Sequence, residues 1–415
     1  MDMRKEANET ALDRLRRSRP ALTGVVPARD AAPGLGGRTI THAGPPIGWA
    51  DMCGPMRGAV AGGVLYEGWA KDASEAAALA GSGSLRFLPN HDVGRVGSMA
   101  GIVTPSMPLL AVTARPFGNT AYVPIHDGLG AALGFGANGP EVIGRLHWLE
   151  EVLAPALADV LAQSGPIELF PFLTAGLAMG DELHQRNLGA SALFFRHMAP
   201  LLVKTVQDRR RLGEILDYLA GQDHFFLNLA MAAAKATADA ARDIPGSTLV
   251  TAMSRNGVNF GIQVSALGKQ WFQAPCSPPK GLFFPGSGPE DANPDMGDSA
   301  ILETVGLGGS AMGCAPSVLR FLGGGTAREA ADITREMDLT ALGRNEDLPM
   351  PQMEFRGVPL GIDLAAVVES GVTPIINTGI AHRSPGIGQV GAGAVRAPMD
   401  CFVQALLAYA YEYGL

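Results

Sequence analysis

Between residues 141 and 243 the apolar positions repeat with the period of a helix. Leu146, Leu149, Leu153, Leu157 and Leu161 fall on one stripe, and further helical stretches run near 181 to 199, 201 to 220 and 223 to 241. Pro155 is expected to kink the first of these helices, Gly221 to stop the third and Asp223 to cap the fourth. On either side the pattern shortens to strand-like runs: Leu109 to Thr113, Ala121 to Ile125, Thr248 to Met253 and Val258 to Val264. Asn256-Gly257, between the last two, predicts a hairpin with a type I′ turn, and Gly118-Asn119 gives a weaker turn signal. Helical segments near 72 to 80, 327 to 342, 363 to 370 and 398 to 413 interleave with these strands without regular βαβ spacing. The first twenty residues mix acids and bases and read as an exposed leading helix rather than an export signal.

The resulting expectation is an α+β protein in which two Gly-rich mixed α/β domains, 1–140 and 244–415, flank an all-helical insert, 141–243. Glycine supports this partition. The chain carries 54 glycines in 415 residues, nearly all of them in the flanks.

Hydrophobic residues make up 47% and charged residues 17%, which excludes global disorder, and no apolar run approaches the ~20 residues of a membrane span. The net charge of -8 and sequence pI of about 5.5 disfavour nucleic acid, which requires a broad basic surface. The cluster Arg209, Arg210 and Arg211 reads as a solvated helix face or a local ion pair. Cys53, Cys276, Cys314 and Cys401 are too scattered for a disulfide framework or a zinc ribbon, so a reducing, cytoplasmic setting is expected.

Four kinds of segment could carry chemistry. Gly386, Gly388 and Gly391 have the G-x-G-x-x-G spacing, but no helix follows at the distance a dinucleotide site needs. A tight loop or an anion-binding backbone nest flanked by Arg383 and Arg396 is the better reading. The run Asn293 to Ser299 holds Asp295 and Asp298 beside Gly297, where Asp298 either caps a helix or acts on a ligand. His42, His91, His126 and His382 all lie in Gly-containing segments, where loops on a rigid scaffold tend to carry function. In the insert, Asp181, His184, Arg186 and Asn187 are dense enough to reach into a cleft, and Asp181 and His184 offer at best an i, i+3 pair on one helix face. No metal signature and no cofactor motif is recognisable.

The ordered blocks THAGPP at 41 to 46, GPMRGA at 54 to 59, YEGWAKD at 66 to 72, MGDELHQRN at 179 to 187, FFLNLAMA at 225 to 232 and VTAMSRNG at 250 to 257 continue through WF-APC, GLFF, ANPDMGDSAI, TPIINTGIAH and GIGQVGAGAVRAP. Over nearly the whole chain they resemble the AllG-type subunit family of oxamate carbamoyltransferase. The resemblance implies a role in allantoin breakdown, where oxalurate and phosphate give oxamate and carbamoyl phosphate reversibly. It also implies partner subunits, one resembling a succinyl-CoA synthetase α subunit. The sequence leaves self-association open. The S-x-R-T and H-P-x-Q patterns of aspartate and ornithine carbamoyltransferases are absent, so no residue role transfers from them.

On chemistry alone, the backbone of Gly386, Gly388, Gly391 and Gly393 with Arg383 or Arg396 is expected to bind phosphate, and Arg255 or Arg57 to clamp the carboxylate. His382 or His91 is expected to move the proton, while Asn293 and Asp298 hold the carbamoyl group and His42 joins the substrate-binding set. Two rival readings remain: a non-catalytic assembly or ligand-binding subunit, and a metal-dependent ureido or amide hydrolase using His42, His91 and Asp92.

Overall fold

The computed structural model describes residues 3–32 and 34–414. The leading helix is Met3–Arg17, and it buries Ala7, Ala11 and Leu15, one residue per turn along a single face. That face rests on the hairpin formed by Ala341–Met350 and Arg356–Ile362, so the first and last thirds of the chain meet at once.

An antiparallel four-stranded sheet runs in the order Thr120–Pro124, Pro108–Arg115, Arg19–Pro27, Ile167–Glu168. Its edge strand comes from the helix-rich middle of the chain. A second four-stranded sheet orders Met296–Gly297, Val250–Asn256, Asn259–Val264 and Phe272–Pro275, and a third joins Lys280–Phe283, Gln389–Arg396 and Ile375–Ala381. With helices segregated beside antiparallel sheets, the molecule is α+β, as the interleaved pattern predicts.

The helix Phe225–Asp239 organises the interior. All of its residues except Asp239 are buried, and it contacts the first sheet, the strand Val250–Asn256 and the short helix Ile301–Thr304. The sequence explains this placement: FFLNLAMAAAKATA has only Asn228, Lys235 and Thr237 as polar residues, and its alanines let neighbouring backbones approach. One continuous core extends from Ala7 to Ala381 and draws on residues of all three segments of the chain. A second, smaller core lies under the C-terminal helix Met399–Tyr413.

Several local expectations are changed by the structure. The Pro155 kink takes the form of a single π-helical turn, Leu149–Leu153, immediately before the proline, which removes the need for the missing N–H. Gly221 ends the helix Arg209–Ala220, but Asp223 caps nothing; the hydroxyl of Ser191 accepts the Phe226 N–H at 3.1 Å instead. The hairpin at Asn256-Gly257 forms with positive φ only at Gly257. Asn256 Oδ1 accepts the N–H groups of Val258 and Asn259, doing through a side chain what the second left-handed residue would have done. Residues 181 to 187 are a loop, not the start of a helix, which begins only at Leu188. Arg210 and Arg211 are exposed and pair locally with Glu214 and Asp208.

Candidate functional site

The loop that replaces the expected helix is held by its own acids. Glu182, fully buried, accepts the N–H groups of Gln185 at 2.5 Å and Arg186 at 2.9 Å, and the side-chain amide of Asn377 at 3.1 Å. Asp181 accepts the Ala190 N–H at 2.8 Å, fixing the start of the helix Leu188–Thr205. Carboxylates that bond backbone N–H groups outside a helix compete with helix formation, which is why the 3.6-period reading fails here. Burial raises the pKa of both acids, against which these hydrogen bonds act. Leu183 sits at φ 70°, an unfavourable conformation for a side chain of this size, directly before His184.

That conformation aims His184 at Glu303, whose carboxylate arrives from the short helix Ile301–Thr304. The two are 2.7 Å apart, Nδ1 to Oε1, and both are buried. Glu303 Oε1 also accepts the Gly309 N–H at 3.0 Å. Gly308 is required beside the pair: a Cβ there would lie 2.1 Å from Glu303 Oε1 and 3.1 Å from His184 Cβ. A carboxylate at Nδ1 fixes the proton on that nitrogen and leaves Nε2 as the basic one.

The imidazole faces an inner chamber whose wall includes His126, His224, Gln185, Ser299, Thr378 and Gln389. A cleft of about 570 Å³ adjoins it, sharing Leu129, Gln185, His224 and Gln389 and adding Arg186, Phe284, Ser317 and Val318. A further hollow of about 430 Å³ lies along the segment His126 to Ala132. His126 is buried with both ring nitrogens unpartnered, and burial, with His224 and Arg145 nearby, pushes its pKa down to about 3. His224 lies 3.0 Å through Nε2 from the Gln185 carbonyl, its Nδ1 is unpartnered, and burial lowers its pKa too. The chamber is therefore lined by neutral imidazoles with unspent hydrogen-bonding capacity. Ser299 adds a polarised hydroxyl: Arg255 Nη1 donates to its Oγ at 3.2 Å, leaving the O–H proton free to point outward.

The residues expected from sequence divide into three groups. The first forms a buried hub around Asp298, in which His42 Nε2, Asn90 Oδ1 and both ring nitrogens of His91 have no hydrogen-bond partner among the described residues. Asp298 accepts from Ser254 Oγ at 2.5 Å, Gly97 N at 2.8 Å, Asn90 Nδ2 at 2.9 Å and Gly44 N at 3.1 Å, while burial pushes its pKa up to about 6. It is not a helix cap, because every one of those donors comes from elsewhere in the chain. His91 Nε2 lies 3.5 Å from the same carboxylate and edge-on to Trp271, with its pKa pushed far down by burial and by Lys235 and Arg242. His42 is buried, with Nδ1 2.8 Å from the Ala43 carbonyl, and burial pushes its pKa down to about 4. Arg255 corrects the expectation of a carboxylate clamp: its N–H groups go to Asp295 twice, Gly297, Ser299 and Thr378, so none is left for a substrate. Asn293 Nδ2 bonds its neighbour's carbonyl at Pro294.

The second group is peripheral. Arg57 donates to the Ala50 carbonyl and lies over Trp49; His382 accepts the Ser384 N–H and sits 3.5 Å from Asp291; Arg383 is exposed. None of these lines the chamber or the cleft.

The third group is the glycine run, and it corrects the nest. Gly391 and Gly393 lie inside the strand Gln389–Arg396, paired on both sides, where a Cβ would meet the Leu282 and Lys280 carbonyls at 2.4 and 2.8 Å. Their glycines serve close strand approach. Gly386 and Gly388 form the turn before that strand, but the Gly386 N–H is already given to the Phe135 carbonyl. Arg396 stands at the strand's other end, roughly 23 Å from the turn at strand spacing, bound to Thr373 and Glu336. Of Asp181, His184, Arg186 and Asn187, expected from their density to reach into a cleft, His184 lines the chamber and Arg186 the cleft, while Asp181 and Asn187 are buried behind them. Glu303 and His224 carried no signal, since their roles depend on contacts across 119 and 39 residues.

Comparison with known proteins gives the arrangement a family. The model for oxamate carbamoyltransferase subunit AllG matches residues 85–299, just over half of the chain. Oxamate carbamoyltransferase subunit AllG of Escherichia coli K12 is 48% identical over 412 residues, covering 99% of this chain and 98% of that protein. A second protein of that strain, the uncharacterised YahG, is 43% identical over 409 residues, covering 99% of this chain and 86% of its own. The crystal structure of a conserved protein of unknown function from Enterococcus faecalis V583 superposes with a TM-score of 0.96 at 42% identity, covering 98% of both chains. By both the family model and full-length identity, the chain belongs to the AllG family of oxamate carbamoyltransferase subunits.

Proposed function

We propose that this chain is the oxamate carbamoyltransferase subunit that carries the acid–base group of the reaction, with His184 as that group. Oxalurate and hydrogen phosphate exchange partners: a phosphate oxygen attacks the ureido carbonyl, the bond from that carbon to the oxalyl-bearing nitrogen breaks, and carbamoyl phosphate and oxamate leave. The phosphate O–H loses one proton and the departing nitrogen gains one, so a single group that takes and returns a proton balances the reaction. His184 Nε2 suits this role, with the proton of Nδ1 held by Glu303 and the other nitrogen turned to the chamber. Ser299 Oγ–H, charged from behind by Arg255, suits the oxygen of the tetrahedral intermediate.

The observation that carries this reading is the His184–Glu303 pair at the chamber wall. In the hydrolase alternative Asp92 would act with His42 and His91, but its Oδ1 already accepts from Gln263 Nε2 at 2.9 Å and Trp271 Nε1 at 3.0 Å. The test is carbamoyl phosphate formation from oxalurate and phosphate by the chain alone and with its two expected partner subunits, one of them similar to a succinyl-CoA synthetase α subunit. Activity in the mixture that disappears with His184→Gln supports the reading. A His184→Gln complex that assembles and works at the wild-type rate makes this an assembly subunit and sends the chemistry to a partner.

A further inference from the structure

The outer cleft is lined by one formally charged side chain, Arg186, and its remaining wall is the His224 imidazole together with apolar, amide and hydroxyl groups. The guanidinium is anchored along one edge only. Nη1 donates to Asp181 Oδ1 at 3.0 Å and to the Met179 carbonyl at 3.1 Å, and Asp181 is fully buried and itself held by the Ala190 N–H. Gly180 is part of this fit, because a Cβ there would stand 3.3 Å from Nη1. The other edge, Nε with Nη2, has no partner among the described residues, and the side chain is 33% exposed where it borders the cleft. A planar fork fixed on one edge and open on the other presents two parallel N–H groups, the geometry a carboxylate meets with both oxygens.

The position of this open edge relative to the chemistry is set by sequence. Arg186 is two residues from His184 on the same locked loop, and Gln185 between them lines both the cleft and the chamber. An α-oxo carboxylate bound at Arg186 therefore extends its amide nitrogen toward the chamber.

We propose that Arg186 forms the carboxylate subsite that selects an oxalyl-type anion, carrying the –CO–COO⁻ end of oxalurate and of oxamate and orienting the departing nitrogen toward His184. This rests on the proposed transferase reading, and it restricts substrates to short amides ending in a carboxylate. Asp181 is a positioning residue for the fork, since it touches no substrate.

The test is run in the direction of oxalurate synthesis on the reconstituted complex, varying oxamate and carbamoyl phosphate separately, for wild type, Arg186→Gln and Arg186→Lys. Loss of a charge-assisted double hydrogen bond should raise the KM for oxamate roughly 10- to 100-fold in Arg186→Gln, and less in Arg186→Lys. The KM for carbamoyl phosphate should stay within about twofold of wild type in both. Oxamide, in which the carboxylate is replaced by a neutral amide, should inhibit wild type and Arg186→Gln alike. An unchanged KM for oxamate, or an equal rise for carbamoyl phosphate, overturns the subsite. Calorimetric titration of oxamate into the isolated chain separates the two readings. Oxamate bound by wild type and lost in Arg186→Gln upholds the subsite even where turnover is absent, and a wild-type chain that neither binds nor turns over oxamate, alone or assembled, overturns both.

Discussion

Two clusters of buried polar residues lie within this molecule, both with unpartnered imidazole nitrogens, and they differ in whether that unspent capacity borders a cavity. Around Asp298 the carboxylate takes four donors from four separate segments, and neighbouring Arg255 gives away all of its N–H groups. Around His184 the pairing stops halfway: the imidazole meets Glu303 on one side and the chamber on the other, and neither ring nitrogen of His126 has a partner among the described residues. The first arrangement ties the second sheet to the loops at Gly44, Asn90 and Gly97. The second leaves valences for a ligand. Polar density alone does not distinguish them; unsatisfied geometry beside a cavity does.

The sharpest way to break this comparison is His184→Gln, which removes the proton carrier and keeps a polar side chain of similar size. Turnover by the assembled transferase should fall by about 10²- to 10⁴-fold, with thermal stability nearly unchanged. A variant that unfolds but retains its specific activity would reverse the roles of the two clusters. Asp298→Ala should do the opposite. It strands the Gly97 N–H and one proton of the Asn90 amide, while Ser254 keeps the Gly297 carbonyl and the Gly44 N–H keeps Ser254 Oγ, at a cost of about 2 to 4 kcal/mol in urea unfolding, and the folded fraction keeps its turnover.

Acid titration sharpens the contrast further. His42 and His126 are neutral in the fold, with pKa values near 4 and 3, and take up protons on unfolding below their ordinary value of 6.5. Their contribution is complete above pH 6.5 and is lost as the pH falls toward 4, at roughly 3 to 5 kcal/mol each. Asp298 acts in the other direction. Its folded pKa of about 6 exceeds the ordinary 3.8, so it adds roughly 3 kcal/mol of stability as the pH falls from 6 to 4. Asp127, Asp181, Glu182 and Asp363, raised by burial, act as Asp298 does, so the readout is the difference between variants: from pH 6.5 to 4, His42→Gln should lose about 3 kcal/mol less stability than the wild type, a shallower slope. An unaltered slope would show that His42 is not held neutral in the fold. The smallest effect is expected at Arg396→Gln, far along the strand from the turn, where an exposed pair with Glu336 is lost. Stability should change by less than about 1 kcal/mol and turnover not at all; a fall in phosphate affinity would restore Arg396 to the site.

Much of the fold was legible because local pattern and tertiary environment agree. Val250–Asn256 and Asn259–Val264 are short strand-like runs that turn at a glycine, and Phe225–Asp239, apolar but for Asn228, Lys235, Thr237 and Asp239, becomes the central helix. The hairpin of Ile375–Ala381 and Gln389–Arg396 was hidden, because its glycines suggested a loop when they in fact let a third strand come close. The loop at 181 to 187 was misread as helix because its acids bond the backbone, an option that periodicity does not register.

The sequence by itself determined the family, through ordered blocks spread over the whole chain, and the α+β character, through hydrophobic period and turn residues that act over a few neighbours. It also marked the loop holding His184 and Arg186. Only the tertiary structure decided which polar residues are already satisfied and which are free. That depends on partners such as Glu303 for His184 and Asp295 for Arg255, 119 and 40 residues away. A hydrogen bond is spent by whichever group the fold brings within about 3 Å, and that distance is set by packing rather than by spacing along the chain.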